Sequence, residues 1–563
     1  MDQGAAPGGI TRRSFLWRSA AGTAIVAGGL PAILAACTKA ADSGANPSGG
    51  PASTTSTLRV GWSSEPDTMN PLTSYSTEAQ EVLQLVYDKL NEYVANLQIV
   101  PALAESTEVS GDGKTIIYHL RTATWHDGEP FTADDVVFTF TLINDEGLSQ
   151  YAQWLVDMVS VTATDATTVE VAFKAPQAFD PSLAIPIIPK HIWNGKSAGE
   201  IQKFANDTPI GTGPFTFGEW QRGQTITVKR NDKFWGPAPG PASVIWVLYQ
   251  NEDVMAQGLQ GGDVDILPEI PPTIWDGLAN ANNVKPVSLP GFSFHHIGIN
   301  VSTDPKSGGN KLLLNRSVRQ ALSLAVDRDQ LVQIALAGHG QPGSVLLPPA
   351  FGDFQLQVPA DQALNANQTK ANDLLDTAGF TNKDSDGFRS GTGGALDFRL
   401  IAIEATTVDV RAAQLFRDAA AAVGIKLNLQ TMDENTLGST VYNSDAPDWD
   451  IFVWGWDSGV NDPDYLLGVP LTSQIGGNND VYYADKTYDG LYDQQAAQLD
   501  RPTRVDLVHQ MQQQFYDDCA YIVMWYQDKL QGYRTDTWTG WTETAGGIVF
   551  NFTRANYLNV KSA

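Results

Sequence analysis

The chain has 563 residues, too many for one compact core, so two or three domains are expected. Its apolar content of 42% is ordinary for a globular protein, and 63 acidic against 36 basic residues give a formal net charge of −27. That sign argues against nucleic acid as a partner, and against any attraction to anionic lipid.

The first 37 residues read as an address label. Thr11-Arg12-Arg13-Ser14-Phe15-Leu16 carries paired arginines, and a small-residue apolar run from Ala20 to Ala36 follows. The run is shorter than the roughly 20 apolar residues of a spanning helix. Gly28, Gly29 and Pro31 also interrupt it, so a signal peptide is expected. The arginine pair resembles twin-arginine signals that export folded proteins. Leu34-Ala35-Ala36-Cys37 resembles the lipobox of bacterial lipoproteins, which implies that Cys37 is the lipid anchor at the extracytoplasmic face of the cytoplasmic membrane. One acyl chain binds a bilayer only marginally, so stable anchoring needs the several chains that lipoprotein processing supplies. Residues 38–57 are rich in Ala, Ser, Gly, Pro and Thr and form a flexible tether with a reach of roughly 25 Å.

Strands and helices alternate from there. Leu58 to Trp62 is a short strand, and Glu78 to Leu90 places Val82, Leu83, Leu85, Val86 and Leu90 at helical spacing. Thr115 to Leu120 alternates like a strand. Asp134 to Asn144 is a helix for which Thr132 and Asp134 are suitable caps. Thr225 to Arg230 is a strand, and Asn315 to Leu336 one or two helices. Thr407 to Val423 is a helix followed by the strand Lys426 to Gln430. Arg501 to Asp517 is a helix, and Asn551 to Asn559 has the look of a terminal strand. The fold class is mixed α/β without a short repeat.

Several tempting motifs fail on context. Gly195-Lys196-Ser197-Ala198-Gly199 matches a hydrolase elbow but lacks the buried strand before it. Gly338-His339-Gly340-Gln341-Pro342-Gly343 matches a dinucleotide fingerprint but follows a helix and contains proline, so a loop is expected. Asn382 to Gly387 resembles the start of a calcium loop, yet the twelfth position is Gly393. His295 and His296 are adjacent on a strand and face opposite ways, so they cannot share a metal. No zinc spacing occurs and no cofactor is expected. With Cys37 lipidated, Cys519 is alone, a buried small hydrophobe at a helix-to-strand passage.

An ordered set of segments resembles the extracytoplasmic solute-binding proteins of peptide and nickel ABC importers. It comprises Glu65-Pro66-Asp67-Thr68-Met69-Asn70-Pro71, Leu120-Arg121 with Trp125-His126-Asp127-Gly128 running to Asp135-Val136, and Ile210-Gly211-Thr212-Gly213-Pro214-Phe215. Arg230 to Trp235, Gly262-Asp263-Val264-Asp265-Ile266, Val318 to Ser323, Leu374 to Phe380, and Gly455-Trp456 with Asp462-Pro463 complete it. Together they cover Leu58 to about Tyr557. His126 and Asp127 are expected to hold a turn rather than to touch a ligand.

The resemblance implies a bilobal α/β body of the periplasmic-binding-protein type, closing by hinge motion. The first lobe would be discontinuous, residues 58–81, 208–293 and 530–563, with an inserted subdomain at 82–207; the second lobe would be 294–529. It implies capture of a small solute, a peptide before an oligosaccharide or other uncharged solute, and delivery to an ABC permease by a monomer without catalytic residues. Asp450 to Pro463 is the richest stretch, where the strand Ile451 to Val453 leads to Trp454, Gly455, Trp456 and Asp457. One of the two tryptophans is expected in the core. In peptide-binding relatives the carboxylate that grips the peptide amine stands three residues after the Gly-Trp pair. Gly459 occupies that place here, and Asp457 is the candidate substitute. Trp525 and Tyr526, and then Ser74 and Tyr75, complete the candidate site. A non-transport envelope sensor or scaffold and an exported hydrolase are the alternatives. Neither has a motif of its own in the chain.

Overall fold

The computed structural model describes residues 56–563 apart from 75, 95–96, 147–150, 459–460 and 551–552. The signal, the tether to Thr55, Cys37, Tyr75 and Gly459 lie outside the described residues. Ser56–Ala563 forms one compact unit.

An eleven-stranded mixed sheet organises it. In chain order its strands are β1 (Thr57–Trp62), β2 (Phe215–Gln221), β3 (Thr225–Arg230), β4 (Ser243–Leu248), β5 (Ile266–Leu267) and β6 (Val284–Ile299). Then come β7 (Gly340–Pro342), β8 (Asp397–Ile403), β9 (Lys426–Met432), β10 (Ile451–Asp457) and β11 (Tyr521–Arg534). The hydrogen-bonded order is β9-β8-β10-β6-β11-β5-β1-β4-β3-β2, and β7 pairs with β11 off this path. β1 runs parallel to β4 and β5, and β8 parallel to β9 and β10. The two long strands, β6 and β11, pair antiparallel from Val284↔Arg534 to Gly298↔Tyr521, with register shifts at Pro290/Phe294 and His295/His296.

Two large cores pack on the sheet, and the larger also takes in Phe452, Trp454 and Trp456 of β10. On the β8–β9–β10 side, helices Arg316–Ala325, Arg328–Ala335 and Thr407–Ala422 bury Leu322, Leu331 and Phe416 against Leu400, Ile451 and Val453. On the β1–β4 side, helix Thr77–Val86 buries Val82, Leu85 and Val86 with Leu58, Val60 and Trp246. Strands covered on both faces read as near-continuous apolar runs, which is why β10 shows no alternation. A second, four-stranded sheet, ordered Ala104–Val109, Thr115–Leu120, Thr168–Phe173, Met158–Asp165, lies within residues 82–207.

Two ionic contacts, one half-buried and one buried, hold distant segments together. Arg59 of β1 grips Asp265 with Nη2–Oδ1 at 2.7 Å and Nε–Oδ2 at 3.0 Å. Arg554 reaches Asp88 at 2.6 Å and Glu92 at 2.9 Å, while Asp88 also accepts from Thr212 Oγ1 and Trp235 Nε1. Breaking such a cluster from one side strands a buried charge. Arg554, near the chain end, is therefore tied to residues 88–92.

The motif residues serve the backbone. His126 Nε2 sits 3.0 Å from Gly213 O, and its own amide donates to Gly211 O at 2.8 Å. Asp127 accepts from the Glu129 amide and pairs with His191. Ser197 and Glu200 form a capping box, and Asp384 accepts the amides of Asp386 and Phe388, closing its own turn. Burial pushes the Cys519 thiol up to about 11.

Four expectations need correction. Ala555–Asn559 is helical, because Thr553 Oγ1 accepts the Ala555 amide and starts a turn; the terminal strand is only Lys561–Ser562, paired with Trp538–Thr539. Helix Ala133–Glu146 is capped through Asp135, whose Oδ2 accepts the Thr132 amide, while Asp134 pairs outward with Lys190. Gly340–Pro342, expected in a loop, adds a short strand beside β11. The strand from Ile451 runs on to Asp457, so Trp454 and Trp456 share one face, and both are buried.

Backbone crowding yields a first prediction. A Cβ on Gly211 would lie 1.8 Å from Val86 O, whereas one on Gly490, inside helix Lys486–Ala496, meets open space. Gly211→Ala should cost more than about 3 kcal/mol, and Gly490→Ala should stabilise by about 0.5–1 kcal/mol. Urea unfolding of both checks this; equal effects refute it.

A second concerns pH. Glu81 is 3% exposed, accepts from Tyr557 Oη at 3.1 Å, and burial raises its carboxyl from 4.5 to about 7. Within that window the folded chain keeps a proton the unfolded chain has lost, so this group's contribution falls as pH rises from 4.5 to about 7. Glu81→Gln keeps an acceptor for Tyr557 and removes the ionisation. It should stabilise the fold by up to about 3 kcal/mol above pH 7 and change little near pH 4. Melting curves at both pH values decide; a pH-independent difference excludes the titration of Glu81.

Candidate ligand site

β10 sits between β8 and β6, and β6 in turn pairs with β11, so the two tryptophan-bearing segments of the chain meet across one strand. The register aligns Trp456 with Phe294, Trp454 with His296, Gly455 with His295 and Asp457 with Ser293. On the other edge of β6, His295 aligns with Trp525 and Phe294 with Tyr526.

The even residues of β10 face a buried polar knot. Trp456 Nε1 donates to Asp480 Oδ2 at 3.0 Å, and the Tyr521 hydroxyl donates to Asp480 Oδ1. His296 stacks on Tyr521 at 3.8 Å between centroids, and its Nε2 stands 3.7 Å from Asp480. Asp480 and His296 are both wholly buried, and desolvation lowers the His296 pKa, which keeps the ring neutral. Trp454 packs edge-on to Phe452 and Tyr442. The odd residues face the other way. The His295 ring lies 3.0–3.2 Å from where a Gly455 Cβ would be, so any larger residue there would have to push the ring aside. His295 Nδ1 lies 3.0 Å from Asp409 Oδ1, and the ring stacks on Trp525, centroids 5.2 Å apart.

The candidate residues thus divide. Trp454, Trp456 and Trp525 are buried walls. Tyr526 spends its hydroxyl on the Ser344 and Val345 amides and donates to Val345 O at 2.8 Å. Ser74 is buried and donates to Asp67 Oδ1 at 2.6 Å. Asp457, at the end of β10, is the accessible one. Its carboxyl is nonetheless raised, by burial first, with Lys529 opposing.

Lys529 and Glu269, whose charges act on Asp457, and Glu78, on which Glu269 acts, escaped the reading of the sequence. Lys529 of β11 keeps its ammonium above the ordinary value: burial works against it, and Asp457, Glu269 and Glu81 outweigh burial. Glu269 is exposed and lies between Pro268, whose carbonyl accepts from Gln531 Nε2, and Ile270, whose amide donates to Leu530 O; both bonds are 2.8 Å. Glu78, on helix Thr77–Val86, is raised by burial and then by Glu269 and Asp67. The one local hint was a lysine following the apolar run from Tyr521 to Tyr526; partners some 70 to 450 residues away leave no mark in the local pattern.

Comparison with known proteins gives the setting. A family profile for "Bacterial extracellular solute-binding proteins, family 5 Middle" matches residues 98–478. Protein XP55 of Streptomyces lividans is 28% identical over 95% of this chain and 94% of its own. Oligopeptide-binding protein AppA of Bacillus subtilis is 26% identical over 90% of this chain and 94% of its own. Its structure, solved in complex with a nonapeptide, superposes with a TM-score of 0.71 over 90% of this chain and 99% of that one. NikZ of Campylobacter jejuni, solved with Ni(L-His), is 24% identical and shares the fold with a TM-score of 0.75 over 90% of this chain and all of its own. No helix among the described residues is long and apolar enough to cross a membrane. By the extent of the profile match, the chain belongs to the bacterial extracellular solute-binding proteins of family 5.

Proposed function

We propose that the protein captures a peptide at the end of β10, where the Asp457 carboxylate is exposed, and hands it to the membrane permease of an ABC importer. The observation that carries this is the accessible, desolvated carboxylate of Asp457 at the end of a buried, tryptophan-bearing strand. A carboxylate in low dielectric binds an ammonium far more strongly than one in water does. Asp457 then takes the role of amine anchor that Gly459 cannot fill. The names of relatives support the solute class, among them the oligopeptide-binding AppA and the dipeptide-binding protein of Escherichia coli.

Residues 58–81, 208–293 and 530–563 make one lobe and 294–529 the other, with 82–207 inserted in the first. β6 and β11, which run through both sheet halves, are the hinge. Closure about them buries the solute, and the permease reads the closed form. The body acts as a monomer held by lipid on Cys37, and by binding alone. The candidate nucleophiles support that last point: Ser197 is spent on a capping box and the Cys519 thiol is buried and protonated.

Native mass spectrometry of the protein purified without denaturant should show an adduct that resolves into peptide masses. Asp457→Ala should weaken calorimetric binding of that peptide by about 10-fold or more. Unchanged affinity removes Asp457 from the site, and an adduct with hexose spacing replaces peptide by oligosaccharide.

A further inference from the structure

The Ala178 amide donates to Ala496 O at 2.9 Å. Ala178 belongs to the inserted segment 82–207, and Ala496 ends helix Lys486–Ala496, within residues 294–529. Beside that bond Leu499 lies across the turn at Gly113. A Cβ on Gly113 would stand 2.6 Å from Leu499 Cδ1 and 2.9 Å from Pro176 Cβ. One apolar core takes in Phe179 of the inserted segment together with Leu466 and Tyr488. The two parts of the chain therefore touch at residues outside β6 and β11.

Both sides of this contact are held from behind. On one side Asp180 accepts from Tyr118 Oη at 2.6 Å, from Asn91 Nδ2 at 2.8 Å and from the Ser182 amide at 2.9 Å. That fixes the segment carrying Ala178. On the other side stands Gln495, wholly buried and next to Ala496. It donates to Asp464 Oδ1 at 2.7 Å and accepts from Arg504 Nε at 3.1 Å. Arg504 directs its other two nitrogens at Asp462, at 2.8 and 2.7 Å. Asp462 also accepts the Asp464 amide at 3.0 Å. These two acids stand where the connection that leaves β10 after Asp457 enters helix Asp464–Gly468. One guanidinium, 6% exposed, thus joins that connection to the residue beside the Ala178–Ala496 bond. The planar fork fixes the directions of its donors, which a lysine ammonium does not.

We infer that Arg504 is a positioning residue: it couples the connection that follows Asp457 to a latch between the lobes, formed by Ala178, Ala496 and Leu499. With the latch shut, the guanidinium holds Asp462 and Gln495 in one arrangement, and the start of helix Asp464–Gly468 is set with them. Opening breaks the Ala178–Ala496 bond, frees the end of helix Lys486–Ala496, and loosens the connection beyond Asp457 through Gln495 and Arg504. Coupling of this kind acts equally in both directions, so a solute that fixes the connection also favours the shut latch. It rests on the division into lobes proposed above and supplies the link between the site and closure.

Hydrogen–deuterium exchange of the full chain, read at single amides by mass spectrometry, tests the coupling, because the partner of the Ala178 amide lies in the other lobe. Leu499→Asp, at a position 50% exposed, should speed exchange at Ala178 by about tenfold and leave the four-stranded sheet of the inserted segment unchanged. The Asp464 amide should speed up with it, by about the same factor. Arg504→Lys keeps a cation beside Asp462 and loses the fork, and should speed Ala178 by about tenfold too. The radius of gyration of Leu499→Asp, from small-angle X-ray scattering, should rise. Ala178 exchange unmoved by Arg504→Lys, or moved only together with the sheet amides, overturns the role of Arg504. Asp464 exchange unmoved by Leu499→Asp overturns the coupling. Faster exchange at Ala178 and Asp464 with an unchanged radius overturns the opening of these lobes and leaves the coupling standing.

Discussion

The antiparallel pairing of β6 with β11 is the constraint on which the other parts depend. It joins residues from Val284 to Gly298 with residues from Tyr521 to Arg534, more than 200 positions later. Every parallel strand on one side of the sheet, β8, β9 and β10, is attached through β6, and β1 and β4 on the other side through β11 and β5. A contact of such sequence separation is entropically expensive to form. What offsets it is continuous burial: the first six residues of β11 are buried, as are most of those of β6 from Phe292 onward. The same two strands bulge at Pro290–Phe294, and a bulge bends a strand and re-aims its side chains. In this fold the bend falls next to Ser293, the partner of Asp457.

The two faces of β10 divide the labour. One face is rigidified by a polar cluster in which Asp480 accepts from Trp456 and Tyr521 and stands against a neutral His296. A carboxylate at zero exposure is costly, and the donors around it make it tolerable. Its effect is to fix the Trp456 indole in one rotamer. The other face keeps Gly455 bare so that His295 can lie flat between it and Trp525. The three tryptophans are thereby held in place by their own neighbours.

Much of the architecture was legible because it rests on local signals. Thr115–Leu120 and Thr225–Arg230 have strand bounds that match the alternation of their residues, and Arg501–Asp518 begins after the capping Asp500. The turn at His126-Asp127-Gly128 was legible for the same reason, Gly128 taking a φ of 98°. What failed was also local evidence misapplied. Asn551 to Asn559 has strand-forming residues, but Thr553 supplies a helix start and Tyr557 is drawn in by Glu81. Trp454 and Trp456, two apart on a strand, necessarily share a face, so alternation could not send one of them to solvent.

The site was half legible. The tryptophans, Gly455 and Asp457 stand in one run, and residue type alone marks them as recognition surface. Lys529, Glu269 and Glu78 carry no such mark, because an isolated acidic or basic residue in a chain with 63 and 36 of them is far more often a solvated one. They acquire meaning only when the sheet order places β5, β11, β6 and β10 side by side. Electrostatics in a recess is a property of neighbours, and neighbours here are set by β-pairing across hundreds of residues.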